Sequence, residues 1–142
     1  MNIDSIKNGI VIDHITAGCG MQIYNMLELD KLDCSVAIIK NVSSRKMGKK
    51  DIIKIDADID INLDIISFIS PNATVNIIKD EIRIEKRSVT LPDRLVNIIK
   101  CKNPRCITTV EQELKHEFVL TDREKGEYRC IYCESPYEIP HA

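Results

Sequence analysis

The segments CKNPRC, at residues 101–106, and CIYC, at residues 130–133, place four cysteines in two short loops separated by 23 residues. Two pairs of thiolates on tight turns are a common ligand set for structural zinc, which prefers four soft ligands in a tetrahedron. Disulfides in a secreted domain are the alternative, but the first residues show no charged and then apolar leader. We therefore predict one structural zinc ion per chain, held by Cys101, Cys106, Cys130 and Cys133.

Two further cysteines, Cys19 and Cys34, have neither a neighbouring cysteine nor a histidine at ligand spacing. We expect each of them to behave as a small apolar side chain that is buried or half-buried. A catalytic thiol is the alternative interpretation, but no pairing of cysteine with histidine can be argued from the sequence.

The zinc ligands indicate two domains, because all four lie beyond residue 100 of a 142-residue chain. A domain of about 45 residues buries too little apolar surface to be stable alone, and a bound metal compensates for this. The predicted domains are residues 1–91 and 92–142, with the linker at Thr90-Leu91-Pro92. No apolar run approaches the length of a membrane span, so we expect a cytoplasmic protein with no membrane partner.

The apolar patterns of the first domain predict alternating strands and helices. We expect strands at residues 9–15, 35–39, 51–55, 73–78 and 82–86, and helices from residue 21 to just before residue 34 and at residues 61–69. In the last hairpin we expect Ile82 and Ile84 on one face and Arg83 and Glu85 on the other. The order is that of the βαββαβ ferredoxin-like sheet, with both helices on one face and one additional strand. The fold class is therefore α+β, with a small all-β zinc-binding domain at the C-terminus.

Basic residues are concentrated in the first domain and at the domain junction. Residues 40–54 contain six Lys or Arg and one Asp, and residues 79–105 contain eight basic and four acidic residues. Lys50 and Lys54 lie four apart in one predicted strand and share a face, and Lys86 closes the neighbouring hairpin. Three converging ammonium groups suit a polyphosphate, although a solvated surface position is the alternative for each lysine alone.

Catalysis by this chain is not expected. Asp13 and His14 are adjacent in a predicted strand, so their side chains point to opposite faces and do not readily serve one reacting group. Four thiolates also leave a zinc ion no open position for substrate, which argues against a metal-dependent enzyme. We therefore predict a non-enzymatic protein without catalytic residues.

A zinc-ribbon protein that binds nucleic acid through the basic sheet is the alternative function. Sheets that bind RNA stack bases on aromatic side chains, and the predicted strands contain almost none. The zinc domain is also acidic, with four basic and eight acidic residues in residues 106–142. We therefore expect no nucleic-acid partner.

Four segments together resemble the regulatory chain of aspartate carbamoyltransferase. They are GIVIDHI at residues 9–15, MGKKDIIKI at residues 47–55, ATVN at residues 73–76, and the cysteine spacing C-x4-C-x23-C-x2-C. The resemblance implies a non-catalytic allosteric subunit in pyrimidine biosynthesis, whose first domain binds the nucleotide effectors CTP, UTP and ATP. It also implies a self-dimer through the first domain and a zinc domain that contacts the catalytic chains.

The same resemblance implies a set of nucleotide-binding residues. Asp13 would lie on the base or ribose side, Lys54 and Lys86 would contact ribose and phosphates, and Lys50 and His14 would lie at the phosphate end. The base pocket would be completed by Ile3, Asp4, Ile6, Ile52, Asn76 and Ile78. Glu81 and Arg83 stand where the pocket wall of that family is usually less charged.

Overall fold

The computed structural model describes residues 6–137, so the predicted site residues Ile3 and Asp4 lie outside the described range. The chain divides into two compact units, one ending at Thr90 and the other beginning at Leu91. The first unit contains a five-stranded sheet and two α-helices, and the second a four-stranded sheet. The predicted α+β class is confirmed. None of the helices in the described range is both long and apolar enough to cross a membrane.

The first sheet has the strand order β2-β3-β1-β4-β5, and every neighbouring pair is antiparallel. The first four strands have the ferredoxin-like order, and β5 adds an edge strand beside β4. The elements are β1 (Gly9–Thr16), α1 (Gly20–Met26), β2 (Val36–Ser44), β3 (Gly48–Ile55), α2 (Leu63–Ile69), β4 (Thr74–Lys79) and β5 (Ile82–Ser88).

Alternation along the strands gives this sheet one buried face. Ile10 and Ile12 of β1 lie opposite Ile55 and Ile53 of β3, and all four side chains are buried. The helices contact each other, and Ile23, Ile66 and Phe68 of α1 and α2 are buried as well. Burying each such side chain contributes about 1.5–3 kcal/mol. The opposite side of the sheet, which carries Asn76 and Lys54, is called the helix-free face below.

Helix α1 is shorter than predicted. It ends at Met26 because Glu28 adopts the left-handed conformation, with φ of 55°, and a 3-10 turn at Leu29–Lys31 follows. Helix α2 begins at Leu63 because the Asn62 side chain accepts a hydrogen bond from the Asp64 backbone N–H at 3.0 Å. This interaction satisfies one of the unpaired N–H groups at the helix start.

The β4–β5 hairpin corrects one prediction about side-chain direction. Its two-residue turn is formed by Asp80 and Glu81, both with positive φ (52° and 68°). Beyond the turn, Arg83 pairs with Ile78, whereas Glu85 pairs with Ile77. Arg83 and Glu85 therefore lie on opposite faces, and the prediction that they share a face is wrong. Strict alternation fails here because a β-bulge inserts one extra residue between the two pairs.

The second unit is a small antiparallel sheet of order β6-β7-β8-β9. Its strands are β6 (Arg94–Val96), β7 (Glu117–Asp122), β8 (Glu127–Cys130) and β9 (Pro136–Tyr137), with a 3-10 turn at Ile107–Thr109. Leu95, Phe118 and Tyr128 are fully buried, and the Tyr128 hydroxyl donates to the Pro92 carbonyl at 2.6 Å. Strand β9 was not predicted, because two residues carry no periodic signal.

Candidate functional site

The four predicted zinc ligands converge in the second unit. Their sulfur atoms all lie within 4.8 Å of one another, with Cys101 Sγ 3.5 Å from Cys133 Sγ and Cys106 Sγ 3.7 Å from Cys130 Sγ. A tetrahedral zinc–thiolate site, with Zn–S of about 2.3 Å, separates its sulfurs by about 3.8 Å. All four cysteines are free of disulfides. The cluster fits one structural zinc ion, as predicted from the sequence.

Hydrogen bonds around the cysteines hold the two loops in this geometry. Thr108 Oγ1 donates to Cys106 Sγ at 3.1 Å, and this hydrogen bond lowers the pKa of the Cys106 thiol. Asn103 Nδ2 donates to Ser135 Oγ at 3.0 Å and so joins the two ligand loops. Burial would raise the pKa of Cys133, but hydrogen bonds with Ser135, Cys101 and Asn103 lower it to about 6. Burial raises the pKa of Cys101 to about 12 and also raises that of Cys130. Thiolates are the form that binds zinc.

The helix-free face carries a row of paired residues across the first sheet. Lys54 of β3 lies opposite Val11 of β1, Val11 lies opposite Asn76 of β4, and Asn76 lies opposite Lys86 of β5. Directly opposed residues on neighbouring strands share a face. The backbones of Lys54 and Lys86 are three strand spacings apart, or about 14 Å. The long side chains of the two lysines can bring their ammonium groups closer together than this. Neither lysine forms an ion pair within residues 6–137.

A second cluster lies at the end of β1. Lys50 Nζ is 2.9 Å from Asp13 Oδ1, and both side chains are mostly buried. Burial would raise the pKa of Asp13, but hydrogen bonds from Lys50 and from the His14 N–H outweigh it and hold the pKa below its usual value. His14 Nδ1 is 3.1 Å from Thr74 Oγ1. The structure therefore places Asp13, His14 and Lys50 together.

Apolar and amide groups complete the helix-free face. Ile52 lies between Lys50 and Lys54 in β3 and pairs with Ile39, and Ile78 follows Asn76 by two positions in β4. Asn76 Nδ2 donates to the Val11 carbonyl at 3.3 Å, whereas its buried Oδ1 has no partner in the described part of the chain. That oxygen is therefore a buried acceptor that no group within residues 6–137 satisfies. Ile6 is half-buried, and its side chain approaches Gly9.

Two contributors to this face were missed from the sequence, and a third was assigned only through the family resemblance. Val11 fills the centre of the row, Thr74 contacts the His14 ring, and Arg83, which the resemblance assigned to the pocket wall, joins the face through the β5 bulge. Val11 could have been found by alternation from Asp13, since the two are separated by one residue in a predicted strand. Alternation alone assigned Arg83 to the face of Glu85.

The cysteines outside the zinc cluster do not form a nucleophilic site. Cys19 and Cys34 are half-buried, as expected. Burial, and secondarily the charge of Asp51, raises the pKa of the Cys19 thiol. A raised pKa favours the protonated thiol, which is the poorer nucleophile.

A ferredoxin-like unit with a cationic helix-free face, followed by a four-cysteine metal-binding unit, defines a class of two-unit zinc proteins. The family model "Aspartate carbamoyltransferase regulatory chain, allosteric domain" matches residues 1–90, and "Aspartate carbamoyltransferase regulatory chain, metal binding domain" matches residues 93–141. The chain belongs to the family of aspartate carbamoyltransferase regulatory chains. The resemblance noted in the sequence and the expectation of a regulatory, non-catalytic chain are both confirmed.

Curated relatives match over nearly their whole length. A protein of Clostridium acetobutylicum named aspartate carbamoyltransferase regulatory chain is 51% identical over 138 residues, which is 97% of this chain and 94% of the relative. Proteins of the same name from Clostridium tetani and Bifidobacterium longum are 50% and 42% identical. These alignments cover 98% of this chain in both cases, and 97% and 100% of the two relatives.

Proposed function

We propose that the first unit binds the nucleoside triphosphates CTP, UTP and ATP on the helix-free face as allosteric effectors. The observation that carries this proposal is the row of Lys54, Asn76 and Lys86. It combines two ammonium groups that form no ion pair within residues 6–137 with a buried amide oxygen that has no partner in the same range. The negative charge of a triphosphate is distributed over three phosphate groups, so ammonium groups at separate positions can stabilise it. The proposed binding unit is residues 1–91.

The orientation of the nucleotide follows from the polarity of the two ends of this face. His14, Thr74 and the Asp13–Lys50 pair make one end polar and charged. The other end is apolar, because Ile78 pairs with Gly9 and the Ile6 side chain lies beside Gly9. The phosphates therefore point toward Lys50 and His14, and the base lies on the apolar end, with Lys54 and Lys86 near the ribose between them.

The zinc unit, residues 92–142, is proposed to contact the catalytic chains. Four apolar side chains on its ligand loops and on the adjoining 3-10 turn are exposed, and we call them the knuckle patch. Cys106 Sγ and Cys130 Sγ are 3.7 Å apart, so the residues that follow them in sequence, Ile107 and Ile131, belong to neighbouring loops. Exposed apolar groups on neighbouring loops are typical of a protein interface. The patch comprises Ile107, Val110, Ile131 and Tyr132.

Regulation requires that effector binding bias the assembly toward one of two states. An effector with equal affinity for both states would shift nothing. Coupling of this kind is commonly about 1–3 kcal/mol, so activity should change several-fold to about a hundredfold.

The first sheet also has two open edges, β2 and β5, whose unpaired backbone groups can pair with a second copy. A self-dimer of regulatory chains through the first unit is therefore part of the proposal.

The test is a calorimetric titration of CTP into the zinc-loaded chain, repeated with ATP present as competitor. We expect saturable CTP binding that ATP displaces, because both nucleotides would use the same lysines. A control titration with cytidine, which lacks phosphates, should show much weaker binding. Absence of CTP binding to the chain alone and to the chain reconstituted with catalytic subunits would contradict the proposal.

A further inference from the structure

Arg83 lies at the apolar end of the helix-free face. It pairs with Ile78 across β4 and β5, and Ile78 pairs in turn with Gly9 of β1. Opposed residues have Cβ atoms about 4.5–5.5 Å apart, so Arg83 stands beside Ile78 and about two residues along the sheet from the row of Lys86. The side that Arg83 occupies is therefore the side of the proposed nucleotide site.

The direction of Arg83 depends on the β-bulge in β5. Lys86 pairs with Asn76 and Glu85 with Ile77, but the next pair is Arg83 with Ile78. One residue, Ile84, has no opposite partner. In a strand without this bulge, Ile84 would pair with Ile78, and Arg83 would share a face with Glu85. Bulges are common beside binding sites, where they redirect a side chain.

The turn of this hairpin is held by the two residues that precede β1, Lys7 and Asn8. The Glu81 N–H donates to the Lys7 carbonyl at 2.9 Å, and the Asp80 N–H donates to Asn8 Oδ1 at 3.2 Å. Arg83 follows this fixed turn by two residues, and it forms no ion pair within the described residues. By contrast, Arg87 of the same strand lies on the helix side and is bound to Glu85 at 2.7 Å. The guanidinium group of Arg83, unlike that of Arg87, is therefore not engaged in an ion pair within the described residues.

We propose that Arg83 is a specificity-determining residue that selects cytosine over uracil and adenine at this site. A guanidinium presents two parallel N–H donors, which match two adjacent acceptors, as in arginine contacts with guanine. Cytosine offers such a pair in N3 and O2. Uracil has an N–H at position 3, and adenine places its acceptor N1 beside an amino donor. Each of these two bases therefore leaves one of the two guanidinium N–H donors without an acceptor. The inference rests on the proposed nucleotide function.

The test compares the affinities of CTP, UTP and ATP for the full zinc-loaded chain by calorimetry at one fixed salt concentration. Arg83→Lys keeps the positive charge and removes the two parallel N–H donors. We expect this variant to weaken the affinity for CTP about tenfold while changing the affinities for UTP and ATP less than about twofold. Arg87→Lys is the matched control on the other face of the same strand, and it should leave all three affinities unchanged. Equal melting temperatures establish that the variants fold.

The possible results separate this inference from the function on which it rests. If the three affinities fall equally, Arg83 contributes to binding without distinguishing the bases, and the selectivity claim is wrong. Unchanged CTP affinity in Arg83→Lys and in Arg83→Met also overturns it, while leaving the proposed nucleotide site intact. A wild-type chain that binds none of the three nucleotides, alone or with catalytic subunits, overturns both.

Discussion

Lys54 and Lys86, which form no ion pair within residues 6–137, bring two positive charges to the helix-free face, one from each side of Val11 and Asn76. Replacing either lysine with alanine should weaken CTP binding about tenfold or more, since a hydrogen bond to a charged group contributes about 1.5–3 kcal/mol. Calorimetric titration measures this change. Lys79→Ala is the control, because Lys79 pairs with Ile82 and belongs to the other face. Equal losses in all three variants would argue against a specific site.

The Asp13–Lys50 pair predicts a pH dependence of stability. The pKa of Asp13 is depressed in the folded chain despite burial, so the charged form stabilises the fold. That contribution is fully present above the unfolded pKa of about 4 and is lost as pH falls through the lower folded value. Lys50→Met should therefore destabilise the chain at pH 7 but make little difference at about pH 2. Urea unfolding of both proteins at the two pH values measures this.

An NMR titration of the Asp13 carboxyl carbon is an independent check of the same pair. In Lys50→Met the pKa of Asp13 should rise, because burial remains and the main hydrogen-bond donor is gone. An unchanged pKa would show that the ion pair does not persist in solution.

Single residues were predictable where chemistry fixes their type. Cysteine spacing identified the whole zinc cluster, since few other arrangements of Cys101, Cys106, Cys130 and Cys133 are compatible with tight turns. Lys50 and Lys54 were correctly placed on one face by alternation. The partnership of Asp13 with Lys50 was not predicted, because it joins residues 37 positions apart (50 minus 13) through a register that the sequence does not display.

At the scale of elements, Asp51 ties together the segments that surround the charged end of the face. Its carboxylate is fully buried and accepts hydrogen bonds from the N–H groups of Gly18, Gly20 and Asn41 at 3.0–3.1 Å. Gly20 has no space for a side chain, since a Cβ would come within 2.9 Å of Asp51 Oδ2. The start of α1 and the irregular part of β2 are thereby fixed to β3.

Asp51→Ala should lower the free energy of unfolding by about 3 kcal/mol or more, because each buried N–H left without a partner costs about 1–3 kcal/mol. Urea denaturation measures the loss. Asp56→Ala is the matched control, since Asp56 is exposed at the end of the same strand. Similar stability of the two variants would mean that water replaces the carboxylate.

The elements themselves were predictable, and their irregularities were not. Isoleucine alternation identified all five strands of the first sheet, because buried and exposed positions follow the pleat. Register shifts occur between Ile12 and Ile15, between Ile39 and Val42, and between Ile77 and Ile78. Beyond each shift, the side chains of the strand with the extra residue point to the face opposite to the one that strict alternation predicts. A shift is set by tertiary pairing, so local pattern cannot predict it, and Arg83 is the residue for which this changed the functional interpretation.

At the scale of the whole molecule, the metal site and the proposed nucleotide site lie in different units. Cys130→Ser should remove zinc and abolish association with catalytic chains, because the small core around Leu95, Phe118 and Tyr128 cannot hold the unit without metal. CTP binding should be largely retained. Zinc stoichiometry, sedimentation with catalytic subunits and calorimetry measure the three quantities. Cys34→Ser is the control, and joint loss of both functions in Cys130→Ser would show that the units do not fold independently.

The knuckle patch predicts where that association occurs. Val110 is 76% exposed, and replacing it with glutamate should weaken binding to catalytic chains about tenfold or more, since a charge at an apolar interface loses its hydration. Zinc content and CTP affinity should be unchanged. Ile82→Glu is the control, because Ile82 is 66% exposed but lies on β5 of the first unit. Equal effects of both substitutions would place the interface elsewhere.

The spacing of the zinc ligands has a consequence for how the second unit is made. Cys101 and Cys106 precede strands β7 and β8, whereas Cys130 is the last residue of β8 and Cys133 follows it. The metal site therefore closes only after both central strands of this sheet have been synthesised, and a nascent chain that ends before Cys130 holds only two of the four ligands. Under the proposed function, scarcity of zinc would limit assembly with catalytic chains before it limited synthesis of the chain.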